Sequence, residues 1–211
     1  MNSVKRTADI IVQPQNRRER SIYVVKNLKK AVDTKLKYLF EGLCINAADA
    51  LFEEQFGTAY SDDLARHFNI TRALRVRSEV HFQEFRMLQA QVWVNLLNKK
   101  NQVGLVEPDQ EFAEVLHRYS ERNRNHYKIL LEELRQRFSA LTESDLNFHP
   151  LLPLNFYLCF WHSSECLELT SEERQLVMVL FNRFVMDRFG QVLALANQSL
   201  VEQGIEPVAR P

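Results

Sequence analysis

Glycine is scarce: the 211 residues hold five, at 42, 57, 104, 190 and 204. From so few, neither a G-x-G-x-x-G turn nor a G-x-x-x-x-G-K-[ST] phosphate loop can be assembled. A G-x-S-x-G nucleophile elbow and an H-E-x-x-H zinc helix are missing as well. The six prolines are too few for a turn-rich chain. Three cysteines, an odd number without framework spacing, argue for a reducing compartment. No apolar run approaches the roughly 20 residues that span a bilayer; the densest, 176–181, is the size of a core segment. The first residues are polar and lack the apolar stretch of a secretory signal, so a cytoplasmic location is expected. Net charge is zero, with 27 basic and 27 acidic side chains, so no global field draws the chain to nucleic acid or membrane.

What is present is a core for long helices. Hydrophobic residues make up 45% and include fourteen phenylalanines. Val24, Val25, Leu28, Val32, Leu36, Leu39, Phe40 and Leu43 recur at spacings of three and four, the period of an amphipathic helix. The stretch 61–98 has no glycine or proline and carries two apolar stripes. One runs through Leu64, Phe68, Leu74, Phe82, Phe85, Leu88, Val92 and Leu96. The other runs through Ala73, Val80, Met87 and Val94, widened by Val76, Ala90 and Leu97. A helix apolar on two sides is expected to be central and packed on both.

Further helices are read over 110–142, 155–167 and 170–203. The polar run at 120–128 is a place for a break near 123–125. Gly57, Ser61 and the Thr170–Glu173 capping box mark helix ends, and Gly204 with Pro207 stops the last helix. The expectation is an all-α helical bundle of five to six helices. A flexible basic arm is expected over 1–20, with a short strand at 10–12. A single helical domain then spans 21–207, its halves 21–98 and 109–204 joined by a connector.

Residues 1–40 hold ten basic against three acidic side chains, and 41–63 hold only acids. Self-complementation between neighbouring helices accounts for this; an arm for an acidic partner is the sharper alternative. Cys159, His162 and Cys166 share one helix face, with Cys44 as a fourth candidate. Structural zinc sites use tighter cysteine pairs, and Phe160 and Trp161 between them read as core, so neither metal nor cofactor is expected. His67 and His81, at the edge of the first stripe, read as packed interface residues. Residues 63–74 resemble the opening of a DNA-binding helix-turn-helix, with Thr71 as cap and Arg72, Arg75 and Arg77 towards DNA. Against it, a polar Arg75 stands where an inward apolar residue belongs, and the heptads pass through 69–71 without a phase break. Arg75 is expected instead to pair with Asp49 and Glu53.

Ala47-Ala48-Asp49-Ala50-Leu51-Phe52-Glu53, Phe68 followed by Arg72-Ala73-Leu74-Arg75-Val76-Arg77, His149-Pro150-Leu151-Leu152-Pro153 and Leu180-Phe181-Asn182-Arg183-Phe184-Val185 form an ordered set. With Gly190, Asn197 and Gly204-Ile205-Glu206-Pro207, it resembles the N-terminal region of domain-of-unknown-function family 1631. Members of that bacterial family are sometimes mislabelled thymidine phosphorylase. Their C-terminal portion looks like a PilZ-type module, associated with cyclic-di-GMP; this chain stops before it, and Arg17-Arg18-Glu19-Arg20 is only a partial echo. The resemblance carries over no catalytic residue. The expected function is non-enzymatic: a regulatory or adaptor protein acting through protein–protein contacts, as a homodimer through a long-helix face. The alternative is a nucleic-acid or cyclic-dinucleotide binder using Arg17, Arg18, Arg20, Arg72, Arg75 and Arg77. No membrane partner is expected.

Overall fold

The structure, a computed structural model, describes residues 16–53, 61–99, 104–145 and 148–207. Among the described residues there are seven α-helices and no strand: α1 (Arg17–Glu53), α2 (Ser61–Leu97), α3 (Gln110–His126), α4 (Lys128–Thr142), α5 (Pro153–Ser163), α6 (Ser171–Phe184) and α7 (Gly190–Glu202). The chain is therefore all-α, with more helices than the five to six expected. Short 3-10 turns at Ser164–Leu167 and Met186–Arg188 follow α5 and α6.

Several ends form for local reasons. Glu173 N–H donates to the Thr170 hydroxyl at 3.3 Å and the Glu173 carboxylate accepts from Thr170 N–H at 2.9 Å, closing the capping box. Pro153 opens α5, where its missing N–H costs nothing. Gly204, at φ +71°, closes α7 as Ile205 N–H reaches back to Leu200 O at 2.9 Å. The expected cap at Gly57 and strand at 10–12 lie outside the described residues, as do the side chains of Ser61 and Asp62. α1 begins earlier than expected. The Asn16 side chain accepts from Glu19 N–H at 2.8 Å, an N-cap contact, so Arg17, Arg18 and Arg20 are helical rather than part of an arm.

The break expected near 123–125 falls at 127, and it meets in space the further break between α6 and α7. Tyr127 separates α3 from α4, and its hydroxyl donates to the carbonyls of Met186 (3.1 Å) and Asp187 (2.9 Å). Those carbonyls lie in the 3-10 turn between α6 and α7, where the regular ladder lapses. Gly190 makes room for the ring: a Cβ there would lie 2.9 Å from Tyr127 Cε1.

α1 and α2 pair antiparallel. Phe40 packs on Phe82 and Phe85, at 5.1 and 4.9 Å between ring centroids, and Asp33 accepts from Arg86 at 3.3 Å. α5 also runs antiparallel to α2, placing Phe156 near Phe85 and Phe160 near His81. So α1 and α5 both pack on α2, but on one broad face. The second stripe is not buried: Val76, Val80, Met87 and Val94 face solvent, and Phe68 of the first stripe is 67% exposed. His67, His81 and Gln89 are buried instead. The element buried all round is the short α5, with nine of its eleven residues inside. One contiguous set of buried apolar side chains, from Val24 to Ile205, joins all seven helices.

Candidate functional site

Antiparallel pairing sets the N-terminus of α1 beside the C-terminus of α2, and α4 and α7 end at the same pole. Between them lies an open cleft of about 920 Å³, within the roughly 300–1,000 Å³ of ligand sites. Arg17, Arg18, Arg20 and Lys99 line it, against Glu143 and Glu206; its apolar lining includes Ile22, Val94 and Leu97. None of the described lining residues is aromatic.

Three helix C-termini gather unpaired carbonyls and partial negative charge here, which accounts for part of the basic character. Arg20 Nη2 donates to Gln203 O at 3.4 Å, and Arg137 Nη1 to Ile205 O at 2.6 Å. Arg17 is bonded to Glu143. The side chains of Arg18 and Lys99 have no hydrogen-bond or ion-pair partner among the described residues, though Lys99 N–H donates to Leu96 O at 3.0 Å. Sequence reasoning missed Lys99 and Glu143. Both sit just past a helix end in the left-handed region, at φ +53° and +50°, a conformation that the residue type does not reveal.

The other arginines lie elsewhere. Arg75 is 23 positions from Asn98 along the uninterrupted α2, about 34 Å at 1.5 Å per residue, so the two basic groups do not converge. The unbroken helix through 69–71 also overturns the helix-turn-helix: there is no turn to set a recognition helix apart. The expected pairing of Arg75 is corrected too. Glu53 bonds Arg183 at 3.0 Å, and among the described residues no ion pair joins Arg75 to Asp49 or Glu53. Arg72 and Arg75 are exposed.

Arg77 is the structural arginine of this group. It donates to Cys166 O at 2.8 Å and to Glu168 at 2.6 Å, tying α2 to the turn after α5. Arg77→Ala is expected to cost about 1–2 kcal/mol, lowering Tm by about 2–8 °C in a chain of this size. Arg75→Ala should leave Tm within a degree or so. Thermal melts of both variants check this, and equal shifts would contradict it.

Of the cysteine–histidine set, Cys159 is fully buried, and burial pushes its thiol up to about 12. His162 Nε2 lies 2.6 Å from Val106 O. No described helix is long and apolar enough to cross a membrane.

The ordered motifs from 47 to 207 sit on α1, α2, α6 and α7, in the turn that leads into α5 and in the segment after α7, and all of these parts contribute residues to the one core. The family profile for the N-terminal domain of DUF1631, a protein of unknown function, matches residues 23–204. The chain belongs to the DUF1631 family. The match runs from Tyr23, in the second turn of α1, to Gly204, so it includes α7 but begins after Arg17, Arg18 and Arg20. No curated protein and no solved structure matches the chain.

Proposed function

We propose that this chain is a non-enzymatic regulatory or adaptor module that holds a segment of another protein in the cleft at its basic pole. The supporting observation is the combination of two cations whose side chains have no partner among the described residues, Arg18 and Lys99, with the half-exposed aliphatic side chains of Ile22 and Val94. Cations at a rim attract and orient a partner, and aliphatic lining adds about 25 cal/mol for each Å² of apolar surface buried.

Nucleic-acid or cyclic-dinucleotide binding is the second reading, and it draws on the same arginines. Such ligands are usually held by stacking as well as by phosphate contacts, and the described lining offers no aromatic ring. Arg72 and Arg75 are also too distant to extend a basic track.

Photo-crosslinking in the cell of origin separates the two. A photoreactive residue at position 22, with one at position 72 as control, is expected to give polypeptide adducts only at 22. Arg18→Glu with Lys99→Glu should abolish them. Nuclease-sensitive adducts, or adducts indifferent to the charge reversal, would sink the proposal.

A further inference from the structure

We infer that the segment held in the cleft is acidic and aliphatic, and that Glu143 is its internal stand-in. This rests on the protein-binding reading above and names the partner's chemistry.

The charges at the pole divide into those in use and those left over. Arg20 answers the carbonyl end of α7, and Arg137 answers Ile205 O while lying 3.9 Å from Glu206. Arg17 is occupied by Glu143. Arg18 and Lys99 remain, both positive and both on the cleft. An occupant with carboxylates complements them, whereas a neutral segment leaves them as they are.

The backbone adds a second argument. Three non-glycine residues among the described ones adopt positive φ: Lys99, Glu143 and Glu168. Each follows a helix end, where glycine is favoured because a Cβ is disfavoured there. Keeping a charged side chain at such a position makes sense when the side chain has work. Glu168 holds Arg77, and Glu143 holds Arg17. The Lys99 side chain alone has no partner among the described residues, which leaves its charge open to an occupant of the cleft.

The aliphatic requirement comes from the lining. Ile22 and Val94 are each 45% exposed at the cleft, beside partly buried Leu97. An acidic residue flanking an aliphatic one would set its carboxylate at the rim and its neighbour on this lining.

Glu143 shows where such a carboxylate goes. It already sits on Arg17 as an exposed ion pair, with side chains 62% and 88% exposed. Pairs that open hold weakly, so an incoming carboxylate can take Glu143's place.

The test uses the full chain and three fluorescein-labelled pools of ten-residue peptides. One pool holds Asp, Glu, Leu and Val; one holds Asn, Gln, Leu and Val; one holds Asp, Glu and Ser. Anisotropy titrations are run at low and moderate salt, with thermal melts to show that every variant is folded. The acid–aliphatic pool is expected to bind, more weakly at higher salt, and at least about tenfold tighter than either other pool. Arg18→Gln with Lys99→Gln should lose about tenfold. Glu143→Gln, which removes the competitor, should tighten binding about three- to fivefold. Unchanged binding in Glu143→Gln overturns the stand-in role. Equal binding of the neutral pool overturns the acidic class while the crosslinks at position 22 still support a protein segment. No pool binding, with cyclic-di-GMP or an oligonucleotide binding instead, overturns both this inference and the reading beneath it.

Discussion

Lowering the pH from 7 to 4.5 is expected to remove about 5 kcal/mol of folding stability through two histidines. His81 and His149 are each 1% exposed, and burial holds both rings near a pKa of about 3. Arg174 pushes His81 further in the same direction. Arg135 does so for His149, partly opposed by Glu132. In the unfolded chain both rings return to about 6.5. Between those values the unfolded state binds two protons that the folded state refuses, so stability rises with pH in this window. It is lost as pH falls below 6.5, at about 1.4 kcal/mol per unit for each ring. Well above 6.5 neither state is protonated and the contribution levels off.

The environment explains why neither ring escapes the penalty by charging in place. His81 is wedged between Phe40 and Phe160, at 5.6 and 4.8 Å between centroids, and its Nε2 has no hydrogen-bond partner. His149 stacks on Phe138 at 5.5 Å and its Nδ1 is likewise unpaired. The loss is comparable with the whole stability of an ordinary domain, about 5–15 kcal/mol. Glu173, whose carboxyl is held below the usual range by Asn69 and Thr170 against the opposing effect of burial, adds a loss at lower pH as it protonates. Urea midpoints at half-unit steps from pH 7 to 4.5 measure the slope. His81→Phe or His149→Phe should cut it by about half, whatever either does at pH 7. A double variant with the parental slope would refute the assignment.

Phe181→Ala is expected to cost about 3–5 kcal/mol, near the top of the range for a single core truncation. Its ring is fully buried and stacked on Phe160 at 3.9 Å. It also meets Phe40, Tyr157 and Phe85 at 5.9, 5.9 and 6.4 Å. These rings come from α1, α2 and α5 and are themselves interlocked, so the site cannot collapse to fill the void. The neighbouring buried Tyr157 is further fixed by Asn123, which donates to its hydroxyl at 2.7 Å, and by its own bond to Asn182. Phe68→Ala, at a position 67% exposed, should cost less than about 1 kcal/mol. Chemical denaturation of both, at unchanged m-value, gives the comparison. Similar losses would mean that Phe68 belongs to the core after all.

Phe68 and Phe181 also show where the sequence stops being informative. Phe68 lies on an apolar stripe of helical period and Phe181 ends the dense apolar run 176–181, so the sequence assigns both to packed faces. Only one is packed. Much of any folded surface is apolar, so a stripe such as Val80, Met87 and Val94 does not announce whether another helix covers it. The converse holds for Gln89: polar by type, it is buried on the face of α2 that also buries His81, which was expected to be packed. The ion pair expected for Arg75 failed for the same reason. Glu53 found Arg183, 130 positions away, which no local spacing reveals.

The cleft was half legible. Arg17, Arg18 and Arg20 stand out as a basic cluster, but their setting was read as an arm, and Lys99 and Glu143 carried no signal at all. Their left-handed backbone is set by how α2 and α4 terminate, and their nearness to Arg17 by how the helices pair.

By itself the sequence determined the all-α class, the capping box at Thr170, the Gly204 stop and the family. These depend on interactions within a turn or two, or on the order of motifs along the chain. The tertiary structure alone decided which face of α2 is buried, why Tyr127 divides one helix into two, and which cations converge on the cleft. The physical reason is separation: Tyr127 meets Asp187 across 60 positions and Arg17 meets Glu143 across 126. Contacts of that reach follow from the docking of whole helices on a shared core, not from the residues beside them.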